Sequence, residues 1–326
     1  REHALVWKLA QSPRVKEIYC APGNAGIAGS AKCVSLAAND IQGLKAFALE
    51  QHIDLTVVGP EEPLTLGIVD EFEAAGLRVF GPGREAARME GSKVFAKKIM
   101  QQAGVPTAAY REFTDHEEAR AYVAQLNGPV VIKADGLAAG KGVFPCRTTD
   151  QALEALQRIM IEREFAEAGD NVVVEDFLVG EEASFICLTD GETVVPLPSS
   201  QDHKPIFDND EGPNTGGMGA YSPAPVVTPE LHSLVMEKVM QPVVDALREN
   251  GIRFKGILYA GLMISDGVPK ILEFNVRMGD PETQPILFRL NSDLVELMEA
   301  VIDERLHAVT IDLDPQPTVC VVMAAG

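Results

Sequence analysis

The sequence of 326 residues has no C-x-x-C pair, and its five cysteines (Cys20, Cys33, Cys146, Cys187, Cys320) are scattered and odd in number. That excludes a disulfide scaffold and a Cys-rich zinc site, and it predicts small buried residues in a reducing, cytoplasmic compartment. No apolar run reaches the roughly 18–20 residues of a membrane helix, and nothing reads as a signal peptide. Positive charge is scarce: 28 Lys+Arg stand against 48 Asp+Glu, a net charge of −20. So acidic a surface repels phosphate backbones and anionic lipid, so neither nucleic acid nor membrane is expected as a partner. Any bound anion must sit where cations are gathered locally. No G-x-G-x-x-G follows a strand, which argues against a dinucleotide-linked dehydrogenase. There is no Ser/His/Asp or Cys/His set. His52, His116, His232 and His307 lack metal spacing and read as structural or solvated. There is no internal repeat and no low-complexity tract. What is there is a globular composition, 46% hydrophobic and 23% charged, long enough for two or three domains.

The first part alternates helix and strand. Helical apolar spacing covers residues 2–11, 41–52 and 68–75, and short apolar strands cover 17–21, 54–58 and 77–80. Strands joined by helices predict a parallel, doubly wound sheet. The loops Pro22-Gly23-Asn24 and Gly59-Pro60-Glu61 then lie at the carboxyl ends of strands, where such sheets bind ligands. One helix is expected over 85–102, followed by a small α+β block with strands at 130–133, 143–146 and 172–175 and a helix at 150–161. The remainder reads as an antiparallel platform. Hairpins turn at Asp190-Gly191 and Asp266-Gly267, a long loop covers 199–225, helices cover 230–249 and 294–302, and a strand begins at Thr318. Arg1 in place of Met, and a last strand stopped at its turn, predict that the chain continues beyond both ends.

Four stretches carry chemistry. Lys133-Ala134-Asp135-Gly136-Leu137-Ala138-Ala139-Gly140-Lys141-Gly142 links two strands; its glycines let backbone N–H groups approach phosphate oxygens, and its lysines supply charge. The Walker A spacing fails, and an ordinary hairpin with solvated lysines is the alternative. The connector 175–182 can offer backbone groups to a purine edge, or it can be a solvated acidic linker. In Ile271-Leu272-Glu273-Phe274-Asn275-Val276-Arg277, strand alternation puts Glu273, Asn275 and Arg277 on one face and Leu272, Phe274 and Val276 in the core. A carboxylate beside an amide oxygen suits Mg²⁺, and Arg277 can stabilise a transferring phosphoryl group; the alternative is the polar face of a half-solvated strand. The long loop holds Asp202-His203-Lys204, able to bind a zwitterion or a phosphosugar, and Gly216-Gly217-Met218-Gly219, able to bring N–H groups to phosphate. A surface lid is its plain alternative.

These residues resemble, over almost the whole chain, the phosphoribosylamine–glycine ligase (glycinamide ribonucleotide synthetase) family of ATP-grasp enzymes. The stretches that carry the resemblance are Arg1-Glu2-His3-Ala4, Ala21-Pro22-Gly23-Asn24-Ala25-Gly26, Val58-Gly59-Pro60-Glu61, Glu90-Gly91-Ser92-Lys93, residues 132–142, Glu181-Glu182-Ala183-Ser184-Phe185, residues 200–204, 212–223, and Glu273-Phe274-Asn275 through Gln284. It implies a Rossmann-like N-terminal domain lacking its first strand over 1–92. An ATP-grasp fold follows, with its central domain at 93–112 and 181–316 and its lid at 113–180. Residues 317–326 are the first strand of a further domain. It implies ATP at Lys93, Lys133, Gly140, Gly142, Glu175, Phe177, Leu178 and Glu182, and Mg²⁺ or Mn²⁺ on Glu273 and Asn275. Glycine and 5-phosphoribosylamine are implied at Gly23, Asn24, Glu61, Asp202, His203, Lys204, Gly217, Met218 and Gly219, with Arg277, Asp280 and Lys141 as catalytic groups. The expected reaction joins glycine to 5-phosphoribosylamine through glycyl phosphate, in purine biosynthesis, by a monomer or weak dimer. Another ATP-grasp carboxylate–amine ligase, and a cut chain that binds nucleotide without turnover, remain as alternatives.

Overall fold

The structure, a computed structural model, describes residues 1–126, 128–138, 141–208 and 211–324. Four antiparallel strands at its centre run in the order Val194–Pro196, Glu181–Thr189, Gly256–Ser265, Val268–Asn275. The two middle strands are nearly continuous apolar runs, and both of their faces are covered. Ala183, Phe185, Cys187, Leu258, Ala260 and Leu262 face one core, built with Val235, Val239, Val243 and Leu247 of the helical stretch 229–249. Ile186, Leu188, Ile257 and Tyr259 face a second core, built with Leu297, Met298 and Val301 of helix Leu294–Ile302. Period-2 side-chain direction thus splits one sheet between two helical layers. Both expected hairpins are present.

The lid is a separate sheet in the order Tyr110–Phe113, Val172–Asp176, Val130–Ala134, Val143–Cys146, all antiparallel. Helices His116–Leu126 and Thr149–Leu156 cover it and close a core of their own around Ile132, Leu156, Ile159 and Val174.

The N-terminal strands pair in parallel as expected, but as two separate two-residue ladders rather than one sheet. Tyr19–Cys20 pairs with Lys32–Cys33, and Thr56–Val57 with Val79–Phe80. Pro22, Pro60 and Pro82 follow three of these strands closely; proline has no N–H to continue a ladder. The expected single helix over 85–102 is two, Arg84–Gly91 and Lys93–Gln102, because Ser92 turns extended and its Oγ caps the second helix at Phe95 N (3.1 Å). The expected long loop contains short strands, two of which form a three-stranded sheet with the last strand: Gln201–Asp202, Gly219–Ser222 and Thr318–Val321. The two in the loop are short and stand among Pro205, Gly216, Gly217 and Pro223, which hides them from a periodicity reading. The cysteines depart from expectation too: Cys146 and Cys187 are buried, but Cys20 and Cys320 are only partly so and Cys33 is exposed. None of the described helices is long and apolar enough to cross a membrane.

Candidate active site

A bulge shapes the strand that was expected to carry the metal. Gly261 pairs with Glu273 but Leu262 with Ile271, so Leu272 is the extra residue. Phe274 and Val276 point into the core as alternation requires, but the third inward side chain is Ile271, and Leu272, expected there, is half-buried. The bulge also frees carbonyls. That of Leu272 accepts from Lys133 Nζ (2.9 Å), and that of Ile271 from Thr107 Oγ1 (2.7 Å). The lid is thereby tied to the strand beside Glu273.

Cations gather around Glu273. Burial opposes its ionisation, but Lys204, Lys133, Lys93 and Arg277 outweigh burial and hold its carboxyl below the usual range. No described residue donates a hydrogen bond to it. Lys93 Nζ donates to the carbonyl of Gly136 (3.0 Å), and burial lowers its pKa while Glu273 pulls the other way. The glycine-rich turn is anchored at the same place: Asp135 Oδ1 accepts from Ser92 Oγ and from Val94 N, both at 3.1 Å. A Cβ at Gly142 would stand 2.6 Å from that of Ala138, so the turn closes only around glycine. Gly140 lies outside the described residues. Lys141 stands apart from the cluster, exposed, its charge felt by Glu164.

Glu175, 3% exposed, is clamped between Lys133 Nζ (3.0 Å) and Lys97 Nζ (3.2 Å). Its Oε1, though near Lys97, has no aligned donor. Lys97 is not among the residues that the sequence patterns single out. Burial pushes it down to about 8, Glu175 opposing, and its Nζ donates to Thr107 Oγ1 (2.7 Å). The signal was there, a second lysine one helical turn after Lys93. Phe177 and Leu178 follow half-buried on the connector, Phe177 under the Arg147 guanidinium (5.6 Å to the ring centre).

Arg277 is held on every side. Nη2 reaches Glu90 Oε1 (2.8 Å) and Asn275 Oδ1 (3.0 Å), Nε reaches Glu61 Oε2 (3.3 Å), and Nη1 the carbonyl of Met278 (3.3 Å). Three of its five N–H groups are thereby donated, and Glu90 adds an ion pair. Glu90 is the second residue without an assigned role, although it stands in the Glu90-Gly91-Ser92-Lys93 stretch. Its Oε2 accepts from Val276 N (2.7 Å), and burial pushes it up to about 7 although Arg277 pulls down.

The long loop closes the other side. Lys204 Nζ lies 3.5 Å from Glu182, and although burial opposes its charge, Glu182, Glu273, Asp202 and Glu282 raise its pKa. Asp202 is pushed up to about 7, by burial first and Glu282 second, and its buried Oδ1 has no partner among the described residues. Gly217, at φ +113°, brings the loop against Pro281 and within 3.0 Å (to a Cβ built there) of that oxygen. Backbone bonds tie the loop's two arms: Met218 N donates to His203 O (2.7 Å), and His203 N to Gly219 O (3.0 Å). Glu282, 2% exposed, accepts from Tyr259 Oη (2.5 Å) and Ser184 Oγ (2.9 Å). Asp280 is exposed, at 3.2 Å from Gln284 Nε2. Gly23, at φ +76°, and Asn24, whose Oδ1 takes Ile27 N (3.0 Å), shape a loop of the N-terminal unit, which contributes Glu61 to the Arg277 network.

Two phosphoribosylglycinamide synthetase family models match in succession, the N domain over residues 1–90 and the ATP-grasp (A) domain over residues 91–283. The chain belongs to the phosphoribosylglycinamide synthetase family. The phosphoribosylamine–glycine ligase of Xanthomonas campestris pv. campestris is 55% identical over 328 residues, covering 100% of this chain and 76% of that protein. That of Vibrio vulnificus is 56% identical over 329 residues, covering 100% and 77%. The crystal structure of the Thermotoga maritima phosphoribosylamine–glycine ligase superposes with a TM-score of 0.81 at 33% identity, over 99% of this chain and 78% of that one. Membership of this family makes the chain an ATP-dependent ligase of purine biosynthesis, as its motifs led one to expect. An ADP complex of N5-carboxyaminoimidazole ribonucleotide synthetase shares the fold (TM-score 0.71, 17% identity, over 98% of this chain and 78% of that one).

Proposed function

We propose that the site joins glycine to 5-phosphoribosylamine at the expense of ATP, giving glycinamide ribonucleotide, ADP and phosphate, with Mg²⁺ (or Mn²⁺) on Glu273 and Asn275. One observation carries the reading: Glu273 is half-buried, its carboxyl held below the usual range, free of hydrogen bonds from described residues, and surrounded by Lys93, Lys133, Lys204 and Arg277. Its neighbour on the strand, Asn275, offers a second hard oxygen. Two protein oxygens with phosphates and water completing the shell suit Mg²⁺, and no group of three His, Cys, Asp or Glu competes among the described residues. An ion held by these two residues would supply charge neutralisation for the phosphate oxygens of ATP.

The γ-phosphoryl group passes to the glycine carboxylate, forming glycyl phosphate, and the amine of phosphoribosylamine displaces phosphate from it. No side-chain nucleophile is required. Lys93 and Lys133 hold the polyphosphate from the lid side, and Lys204 from the loop side. Glu175 Oε1, lacking an aligned donor, suits an amino group at the purine edge, and Phe177 and Leu178 offer apolar contact to its ring. Asp202 near 7 suits the proton that the attacking amine sheds. Arg277, with three N–H groups donated and Glu90 paired to it, orients Asn275 and Glu61 more than it contacts the phosphoryl group. Gly23, Asn24 and Glu61 take the phosphosugar, with the backbone of Gly217, Met218 and Gly219. Small molecules are then its partners, in the cytoplasm, and the chain works as a monomer or weak dimer.

The test is ADP release with glycine, phosphoribosylamine and ATP. One ADP per glycinamide ribonucleotide is expected, with none when other amino acids replace glycine. Release with a different acid would favour another carboxylate–amine ligase, and ATP binding by calorimetry without any release would favour a binding protein.

A further inference from the structure

Cys20 and Cys33 are Cα partners on the parallel strands Tyr19–Cys20 and Lys32–Cys33. Partners across such strands project to the same face, with backbones about 4.8 Å apart. A disulfide needs Cα atoms roughly 4.4–6.8 Å apart and side chains that converge. The register meets the first condition, and projection to one face puts both side chains on the same side of the ladder. The thiols are near enough to interact: burial first, then Cys33, raises the pKa of Cys20. They also differ in access, Cys33 being exposed and Cys20 partly buried.

The pair lies directly beneath the loop that carries Gly23 and Asn24. Cys33 Sγ donates to the Asn24 carbonyl at 3.5 Å. A Cβ at Gly23 would stand 2.5 Å from that sulfur and 3.2 Å from the Cys20 carbonyl. The loop therefore packs on the Cys33 sulfur, and moving that sulfur moves the loop's support. Cys146 and Cys187 are buried in the lid and central cores, and no second cysteine is a strand partner of either.

We propose that Cys20 and Cys33 form a reversible dithiol–disulfide pair, oxidised by a low-molecular-weight disulfide such as oxidised glutathione, which alters the Gly23–Asn24 loop. The exposed Cys33 thiolate attacks one sulfur of the glutathione disulfide, forming a mixed disulfide and expelling one glutathione thiolate. The Cys20 thiolate then attacks the Cys33 sulfur and expels the second. The two cysteines lose two electrons, the glutathione disulfide gains them, and the two thiol protons pass to the departing thiolates. Bonding to Cys20 takes the Cys33 sulfur away from the Asn24 carbonyl. The effect on turnover rests on reading that loop as the phosphoribosylamine site; the covalent step does not.

The test uses the full chain, incubated with oxidised glutathione, alkylated, and digested with trypsin without reduction. Cleavage after Lys32 separates the two cysteines into peptides 17–32 and 33–45. The expected product is those peptides joined, absent from Cys33→Ser and Cys33→Ala and abolished by dithiothreitol. Glutathione retained on Cys33 without that link, or a link to another cysteine only, overturns the proposal. In kinetics, the oxidised chain should show a KM for phosphoribosylamine raised at least threefold, with that for ATP unchanged. A formed link with unchanged KM values overturns the loop effect. A reduced chain without ligase activity would count against the proposed function, while the peptide map would still decide the thiol chemistry.

Discussion

Two charge clusters, one buried and one half-buried, flank Glu273, and they are built in opposite senses. On the lid side one acid, Glu175, sits between two bases, Lys97 and Lys133. On the N-terminal side one base, Arg277, sits between two acids, Glu61 and Glu90. In each cluster burial moves the pKa of a member of the surplus sign toward neutrality: Lys97 down to about 8, Glu90 up to about 7. The difference lies in what is left over. The lid cluster keeps spare cationic donors and an unaligned acceptor, which a nucleotide can use. The Arg277 cluster is nearly closed on itself and joins three pieces of chain that are far apart in sequence. The first is suited to binding and the second to alignment.

Removing the group between the clusters gives the largest expected effect. Glu273→Ala should lower turnover by about a thousandfold, the upper range for a single electrostatic group, with circular dichroism unchanged. Near-normal glycine-dependent ADP release in that variant would falsify the metal role. Next come the two central residues. Glu175→Gln leaves two buried lysines without their anion and should cost roughly 3–5 kcal/mol in urea unfolding. Arg277→Lys replaces a planar fork by an ammonium that cannot reach Glu61, Glu90 and Asn275 together. If Arg277 aligns, both kcat and stability fall; a loss of substrate affinity alone, with kcat kept, would make it a binder.

Opposite pH slopes sharpen the contrast further. Glu90 keeps its proton up to about 7 in the fold, against 4.5 ordinarily, so the folded chain binds more protons in that window and its contribution to stability falls as pH rises through it. Lys97 releases its proton near 8 rather than 10.5, so the unfolded chain binds more protons there and stability rises with pH between those values. Urea midpoints measured across pH should lose the first slope in Glu90→Gln and the second in Lys97→Met. Unchanged slopes would mean that the clusters do not titrate. The smallest effect is expected at the lid's rim, where Phe177→Ala should raise the KM for ATP by a few-fold and leave kcat alone.

Local rules account for much of this architecture. The hairpins at Asp190-Gly191 and Asp266-Gly267, helix Leu294–Ile302 and strand Val143–Cys146 follow from turn chemistry and apolar period. Glu273 and Asn275 could be paired because strand alternation is a local rule. The bulge at Leu272 was not legible, since a single inserted residue depends on the partner strand's register. Glu90 and Lys97 stood in or beside stretches already singled out, yet their partners Arg277 and Glu175 lie far along the chain, and no spacing rule connects them. The split at Ser92 could have been read as a helix cap, but nothing local marked Asp135 as its second anchor.

By itself, the order of residues determined most of the longer strands and helices, that cations had to be concentrated to bind an anion in so acidic a chain, and which polar groups share one strand face. All of these depend on neighbours a few positions apart. Only the folded chain decided that three lysines converge on Glu273, that Arg277 is consumed by glutamates from two other segments, and that two cysteines meet beneath a glycine loop. Such outcomes depend on desolvation and on distances between remote segments, quantities that exist only once the sheets and their helical layers have packed.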